Sequence, residues 1–156
     1  MTHDQRIKPS DYQSLAEFRY QIRRFVRFSE EAARQAGVEP QHHQLMLAIK
    51  GKPDGEECRI AFLAERLQIQ HHSAVELVDR LVKKGLIKRT RGERDRREVY
   101  VQLTARGERI LGELTMHMRA ELRSTAPALV ATLKKIMLHG GHKTAVGHRP
   151  AAAKKK

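Results

Sequence analysis

The sequence predicts a mainly α-helical protein carrying one small β-hairpin, and three observations lead there. Apolar residues recur at helical spacing through most of the 156 residues, the repeat of helices resting on a core. One segment breaks that rhythm: Val99, Val101 and Leu103 alternate with Glu98, Tyr100 and Gln102, the period of a half-buried strand. The chain is 40% apolar yet only 4% aromatic and lacks Trp, which suits helices packed through Leu, Ile, Val and Ala. Six helices and two short strands account for the pattern.

The first helix runs from about Ser10 to Gly37, with Leu15, Phe18, Ile22, Phe25, Ser29, Ala32 and Ala36 on one side. Tyr20, Val26 and Phe28 lie off that stripe, and a long helix of such wide apolar girth calls for a partner chain. Gly37-Val38-Glu39-Pro40 is a stop followed by a start, Pro40 being suited to the first turn of helix two. His42, Leu45, Met46 and Ile49 form the buried face of that helix, and Gly51, Pro53 and Gly55 make the loop after it. Helix three covers Ala61 to Leu67, weakly capped by Ala61, with Leu63, Ala64 and Leu67 inward. Gln68, Ile69 and Gln70 form a turn with Ile69 as its apolar plug.

Helix four turns Ala74, Leu77, Val78 and Leu81 inward, and Gly85 follows its last turn, where helices commonly stop. Leu86, Ile87, Lys88 and Arg89 form the first strand, and the alternating segment from Val99 forms the second. Thr104 caps helix five, whose inner face is Ile110, Leu111, Leu114, Met118 and Leu122. Ser124 and Pro127 end it, and a sixth helix carries Leu129, Val130, Leu133, Ile136 and Met137. From His139 onward Gly, Ala and Lys dominate and periodicity is lost, so 139–156 reads as a disordered basic tail.

A turn between two helices, followed by a cationic hairpin, is the shape of a winged helix-turn-helix, a DNA-binding device. Charge points the same way. Lys and Arg number 31 against 18 Asp and Glu, a formal net charge of +13. From Lys83 to Arg97 eight residues are basic and two acidic, a local net of +6. Phosphate contacts by such residues release condensed counterions, so the cluster binds polyanions even without reading bases. A solvated charged face is the plainer explanation, but exposed faces usually mix signs. Helix four, as the recognition helix, offers Gln70, His71, His72, Ser73, Val75 and Glu76 to the major groove. Lys88, Arg91, Arg94, Arg96 and Arg97 are the candidate contacts from the hairpin, or wing.

Other functions find little support. The single cysteine, Cys58, excludes an internal disulfide and fits a reducing compartment; as a redox switch it needs a thiolate-favouring setting that only Arg59 suggests. No apolar run approaches the ~18 residues of a membrane span, and the polar N-terminus lacks a signal peptide, so a cytoplasmic location is expected. There is no nucleophile motif and no Gly-rich phosphate loop, which argues against an enzyme, and no cofactor is called for. Nine histidines raise metal binding. His71, His72 and Glu76 lie close on one helix, and His42, His43 and His117 are a second set, but neither forms a zinc motif. Groove-facing or surface histidine is the simpler reading.

The run LAERLQIQHHSAVELVDRLVKKGLIKR followed by DRREVYVQLTARGERIL resembles the MarR family of bacterial transcriptional regulators. The tokens are Asp79-Arg80-Leu81, Lys84-Gly85-Leu86, Asp95-x-Arg97 and Leu103-Thr104-x-x-Gly107, each weak alone and strong in joint order and spacing. The helix order fits residues 10 to 138. The resemblance implies an interlocked homodimer, with 10–37 and 104–138 as dimerisation helices and 40–103 as the DNA-binding lobe. It implies palindromic operators in double-stranded DNA, usually repressed until a small molecule releases the protein. It also pairs Asp79 with Arg97 to anchor the wing, a task Asp95 could share from within it; Arg96 competes with Arg97 for the minor groove. By position, Phe18, Ile22, Phe25, His43 and Met46 are candidate walls of an effector pocket, although such stripes are more often plain core. The sequence departs from the family at the start of helix four, where Gln70, His71 and His72 replace the usual Ser, Pro or Thr. A charge-driven nucleoid or RNA-binding protein, or a histidine-based metal sensor, is the alternative.

Overall fold

Pro9 and Pro40 open the first turns of two helices, where a missing N–H costs nothing and the fixed φ is already helical. A computed structural model of the protein describes residues 7–93 and 95–139. Arg94 and residues 140–156 of the expected tail lie outside the described residues. The order is α1 (Pro9–Gln35), α2 (Pro40–Lys50), α3 (Ile60–Leu67), α4 (His71–Lys83), β1 (Ile87–Arg91), β2 (Val99–Leu103) and α5 (Ala105–His139).

The described residues thus hold five helices, not six. Ser124 and Pro127 were expected to end a helix, but α5 runs through both. Proline removes one backbone hydrogen bond and crowds the preceding turn, at a cost of about 3 kcal/mol. Packing on both sides of it outweighs that local penalty. Leu111, Leu114 and Met118 are buried before the proline and Thr132 after it, and α5 lies against α1. Gln21 of α1 donates a 3.3 Å hydrogen bond to the Thr132 hydroxyl, while residues 28–35 of α1 share a cavity with His117–Glu121, so the two helices run antiparallel.

The remaining elements form a smaller lobe. Leu45, Met46, Leu63, Val78 and Leu81 are its fully buried centre, joined by Ile87 and Val101 from the hairpin. α3 packs on α4 through a turn in which Gln68 takes a left-handed φ of 54° and Ile69 plugs the core. Arg59, not Ala61, occupies the N-cap of α3, and neither it nor Gln70 at α4 makes a side-chain cap bond. β1 and β2 pair antiparallel from Ile87 opposite Leu103 to Arg91 opposite Val99. Their alternation differs from expectation at one end: Val99 is exposed, whereas Tyr100 is covered by Arg59 and Glu98 on the opposite face.

Thr104 joins three elements. Its backbone N–H donates to Leu86 O at 3.0 Å, its hydroxyl donates to Gly85 O at 2.8 Å, and that hydroxyl accepts from Gly107 N at 3.1 Å. The end of α4, the start of the hairpin and the start of α5 are thereby tied at one residue. Gly85 meets this junction with a φ of 67°, a conformation that favours glycine.

Two adjacent histidines of α2 are buried, at 4% exposure for His42 and 1% for His43. Burial lowers both pKa values, and Lys84 adds to the effect at His42. The sign follows from linkage: an unfolded chain whose histidines titrate near 6.5 binds protons that the folded chain refuses. Stability is therefore expected to be full above that pH and to fall as pH drops below it. Calorimetric melting across the acid side of neutrality checks this, and a flat profile would show that these imidazoles are not held neutral.

Candidate nucleic-acid interface

The α4 helix places its apolar residues inward and leaves a polar face outward. Ala74, Leu77, Val78 and Leu81 are buried, while Gln70, His71, His72 and Glu76 are exposed and Ser73 and Val75 half-buried. The six residues predicted for the groove thus share the N-terminal end of one helix, with its unpaired backbone N–H groups beside them. No acidic residue lies in that first turn. Glu76 is paired with Arg80 one turn on, at 3.6 Å.

The hairpin supplies the cationic part. Lys88, Arg89 and Arg91 are exposed on β1, and Arg96 and Arg97 are exposed at the tip. Backbone bonds shape the tip: Gly92 N donates to Glu98 O at 2.9 Å, and Glu98 N to Asp95 O at 3.1 Å. The Asp95 carboxylate accepts from the backbone N–H of Arg97 at 2.9 Å, so Asp95 orders the tip through the main chain and leaves the Arg97 side chain exposed.

Asp79 is engaged by a different arginine from the one the family pattern implies. Its carboxylate accepts from Arg89 Nη2 at 2.5 Å, rather than from Arg97. Strand parity explains the exchange. Residues two apart share a face, so Arg89 follows buried Ile87 toward α4, whereas Arg97 lies in the tip beyond β2. Leu86 and Ile87 are both apolar, so the sequence leaves the facing parity open between Lys88 and Arg89, and the strand register decides it. The pair is partly solvated, at 46% and 37% side-chain exposure, so its weight falls on position rather than stability. Asp79→Asn is expected to leave the melting temperature within about 2 °C while lowering discrimination between operator and scrambled DNA by roughly threefold to tenfold. Paired binding titrations on the two DNAs check this; unchanged discrimination would reduce the pair to a passive contact.

A cavity of about 310 Å³ lies between α1 and this lobe, lined by Phe25, Ser29, Pro40, His43, Leu67, Ile69 and Leu77 among others. Of the expected wall residues it includes Phe25 and His43. Met46 is instead fully buried in the lobe's core, and Phe18 and Ile22 lie nearer the N-terminus of α1, outside the lining. The residues from the α3–α4 turn and from α4 itself were not expected, since they join the cavity only through tertiary packing.

The other chemistry is quiet. Burial pushes the Cys58 thiol up to about 11, against a smaller opposing effect of Lys52. Its backbone O accepts from Val101 N at 2.9 Å, so the residue serves the lobe's packing. The carboxylates of Glu57 and Glu98 push the Tyr100 phenol up to about 12. His42, His43 and His117 do not come together: His117 lines a separate cavity between α1 and α5. Among the described residues no group of three or more His, Cys, Asp or Glu could hold a metal ion, and no helix is long and apolar enough to cross a membrane.

Comparison with known proteins places this arrangement. Residues 36–98 match the MarR family. An uncharacterized HTH-type transcriptional regulator of Bacillus subtilis, YfiV, is 30% identical over 82 residues, 53% of this chain and 51% of its own length. The match thus spans about half of that relative. The fold is similar to AbsC, a MarR family transcriptional regulator from Streptomyces coelicolor, with a TM-score of 0.67 at 17% identity over 85% of this chain and 93% of AbsC. It is also similar to the transcriptional repressor CouR bound to a 23-mer DNA duplex, with a TM-score of 0.58 at 24% identity over 76% and 87% of the two chains. CouR from Rhodococcus jostii RHA1, bound to p-coumaroyl-CoA, superposes with a TM-score of 0.56 at 19% identity over 72% and 82%.

Proposed function

From a MarR-family winged helix-turn-helix at residues 36–98, we propose that the protein is a transcriptional regulator binding double-stranded DNA as a homodimer. The observation that carries this is the pairing of an exposed polar face on α4 with a wing whose Lys88, Arg91, Arg96 and Arg97 point to solvent. In this reading the N-terminal end of α4 enters the major groove and the wing reaches the adjacent minor groove, where narrow A·T tracts attract arginine. His71 and His72 take the place of the usual small residues at the groove and set an operator preference of this chain's own. DNA binding by CouR, a protein of similar fold, supports the reading.

The homodimer rests on the far end of the molecule. The N-terminus of α1 and the C-terminus of α5 lie together there, and both expose large apolar side chains: Tyr12 at 64%, Leu15 at 52%, Met137 at 73% and Leu138 at 80%. A second copy covering this face would remove it from water and set two recognition helices about one turn of DNA apart. Residues 9–35 and 105–139 are then the dimerisation helices. Because the cavity beneath α1 touches both the α3–α4 turn and Leu77 of α4, a small molecule lodged in it would displace the recognition helix and release a repressor.

The test is a fluorescence-anisotropy titration of DNA from the protein's own upstream region against scrambled DNA at two salt concentrations, with sedimentation to give stoichiometry. One dimer binding the upstream DNA selectively supports a local regulator. Equal binding to both, collapsing with salt, is the signature of a charge-driven nucleoid protein and would overturn the reading.

A further inference from the structure

Asp79 and Arg89 hold one face of the wing to α4, and a second contact holds the opposite face. Arg59, the N-cap residue of α3, donates to the Glu98 carboxylate at 2.6 Å, and the Tyr100 hydroxyl donates to the same carboxylate. The Arg59 guanidinium also lies over the Tyr100 ring, 5.8 Å from its centroid. That ring in turn supports the tip, since a Cβ added to Gly92 would lie 3.1 Å from Tyr100 Cε2. Glu98 closes the tip through its backbone, where its O accepts from Gly92 N and its N donates to Asp95 O. One guanidinium, fixed just before α3, thus reaches two residues that bear on the turn carrying Arg96 and Arg97.

Charge gives this contact a weight that the ion pair alone lacks. An exposed pair contributes little by itself, and these side chains are 59% and 37% exposed. Yet the cleft between the wing and α3 is lined by Glu56, Glu57, Glu65, Glu93 and Glu98, and Arg59 is the only cation among its described lining residues. Glu93 and Glu98 belong to the wing and the other three to the lobe. Like charges on the two walls repel, and Arg59 is the counter-charge between them. The cleft measures about 860 Å³ and its lining is mostly polar, so apolar packing does little to close it. We propose that Arg59 is a positioning residue for DNA binding: it offsets the carboxylates of this cleft and holds the wing closed on the lobe, which fixes Arg96 and Arg97 relative to α4. The effect on DNA rests on the regulator reading, whereas closure of the wing does not. The bond from Val101 N to Cys58 O, at 2.9 Å, joins the wing to the residue before Arg59 and therefore reports closure.

Hydrogen exchange measured by NMR on the full chain without DNA reads the wing directly. Arg59→Ala should speed exchange at the Val101 and Gly92 amides about tenfold and leave the His43 amide, bonded to Glu39 O in α2, unchanged. Affinity for the upstream DNA should fall about tenfold in the same variant. Arg59→Lys keeps the charge and should hold wing exchange within about threefold of the unaltered chain. Adding Glu57→Gln and Glu93→Gln to Arg59→Ala should restore slow exchange to within about the same margin, a rescue that loss of a packing contact alone would not give. Unchanged wing exchange in Arg59→Ala overturns the proposal, and if affinity falls all the same, Arg59 touches the DNA itself. Fast exchange that the two glutamines leave unrelieved overturns the role of charge. Faster exchange at His43 as well marks general unfolding and overturns the positioning role. Fast wing exchange, relieved by the glutamines, in a protein that selects no DNA supports the closed wing and overturns the regulator reading instead.

Discussion

Gly107→Ala should destabilise the protein by about 3 kcal/mol, lowering its melting temperature by roughly 6–12 °C. A Cβ at this position would lie 2.1 Å from Leu86 O and 3.1 Å from the Leu86 carbonyl carbon. The obstacle is backbone, not the end of a flexible side chain, and that backbone is already committed. Leu86 O accepts from Thr104 N, and Gly107 N donates to the Thr104 hydroxyl, so moving either segment breaks the junction joining α4, the hairpin and α5. Gly112→Ala, one and a half turns on, is the control: nothing lies within 4 Å of its added Cβ, and alanine favours a helix interior by up to about 1 kcal/mol. Denaturant unfolding of both variants measures the contrast. If the two alanines act alike, the close approach at Gly107 is absent and the assignment of Leu103-Thr104-x-x-Gly107 as a structural joint fails.

The double change Arg96→Ala and Arg97→Ala should weaken operator binding roughly 100-fold near physiological salt, with little effect on stability. Both side chains are exposed, and the tip is shaped by main-chain bonds that alanine retains, including that from Arg97 N to Asp95. In a dimer the change removes up to four phosphate or minor-groove contacts, so the slope of log affinity against log salt should fall by roughly 3 to 4. Affinity titrations at several salt concentrations give both quantities. A loss of less than about threefold with an unchanged slope would place these arginines off the DNA and leave Lys88, Arg89 and Arg91 as the wing's contacts.

Most of the lobe was legible in the sequence because its signals are local. Pro40, Gly85 and Thr104 mark element ends by rules that need no tertiary partner, and each stands where those rules put it. What was illegible depended on surroundings. Pro127 is a break signal that α1 overrides by packing along α5 on both sides of it. Tyr100 falls on the polar parity of its strand and is buried all the same, because Arg59 stacks on its ring from before α3. Of the site, the exposed face of α4 followed from its apolar stripe, and the exposure of the wing from its charge. The clasp between Asp79 and Arg89 needed the strand register, which a family pattern alone assigned to Arg97. The cavity under α1 combines residues from four elements, and no sequence window spans them.

The unbroken course of α5 has a geometric consequence. With 35 residues at 1.5 Å each it is a rod roughly 50 Å long, clamped at Thr104 and Gly107 to the lobe that holds α4. Every residue along it advances the angular phase by about 100°, so the apolar patch around Met137 has a fixed bearing relative to the wing. A helix that stopped at Pro127 would let that bearing drift through a loop. One residue gained or lost anywhere along the rod swings the patch by more than a quarter turn, whereas seven return it almost to phase. In the proposed dimer, the length of α5 modulo two helical turns, rather than its composition, would therefore govern how far apart and at what angle two copies hold α4.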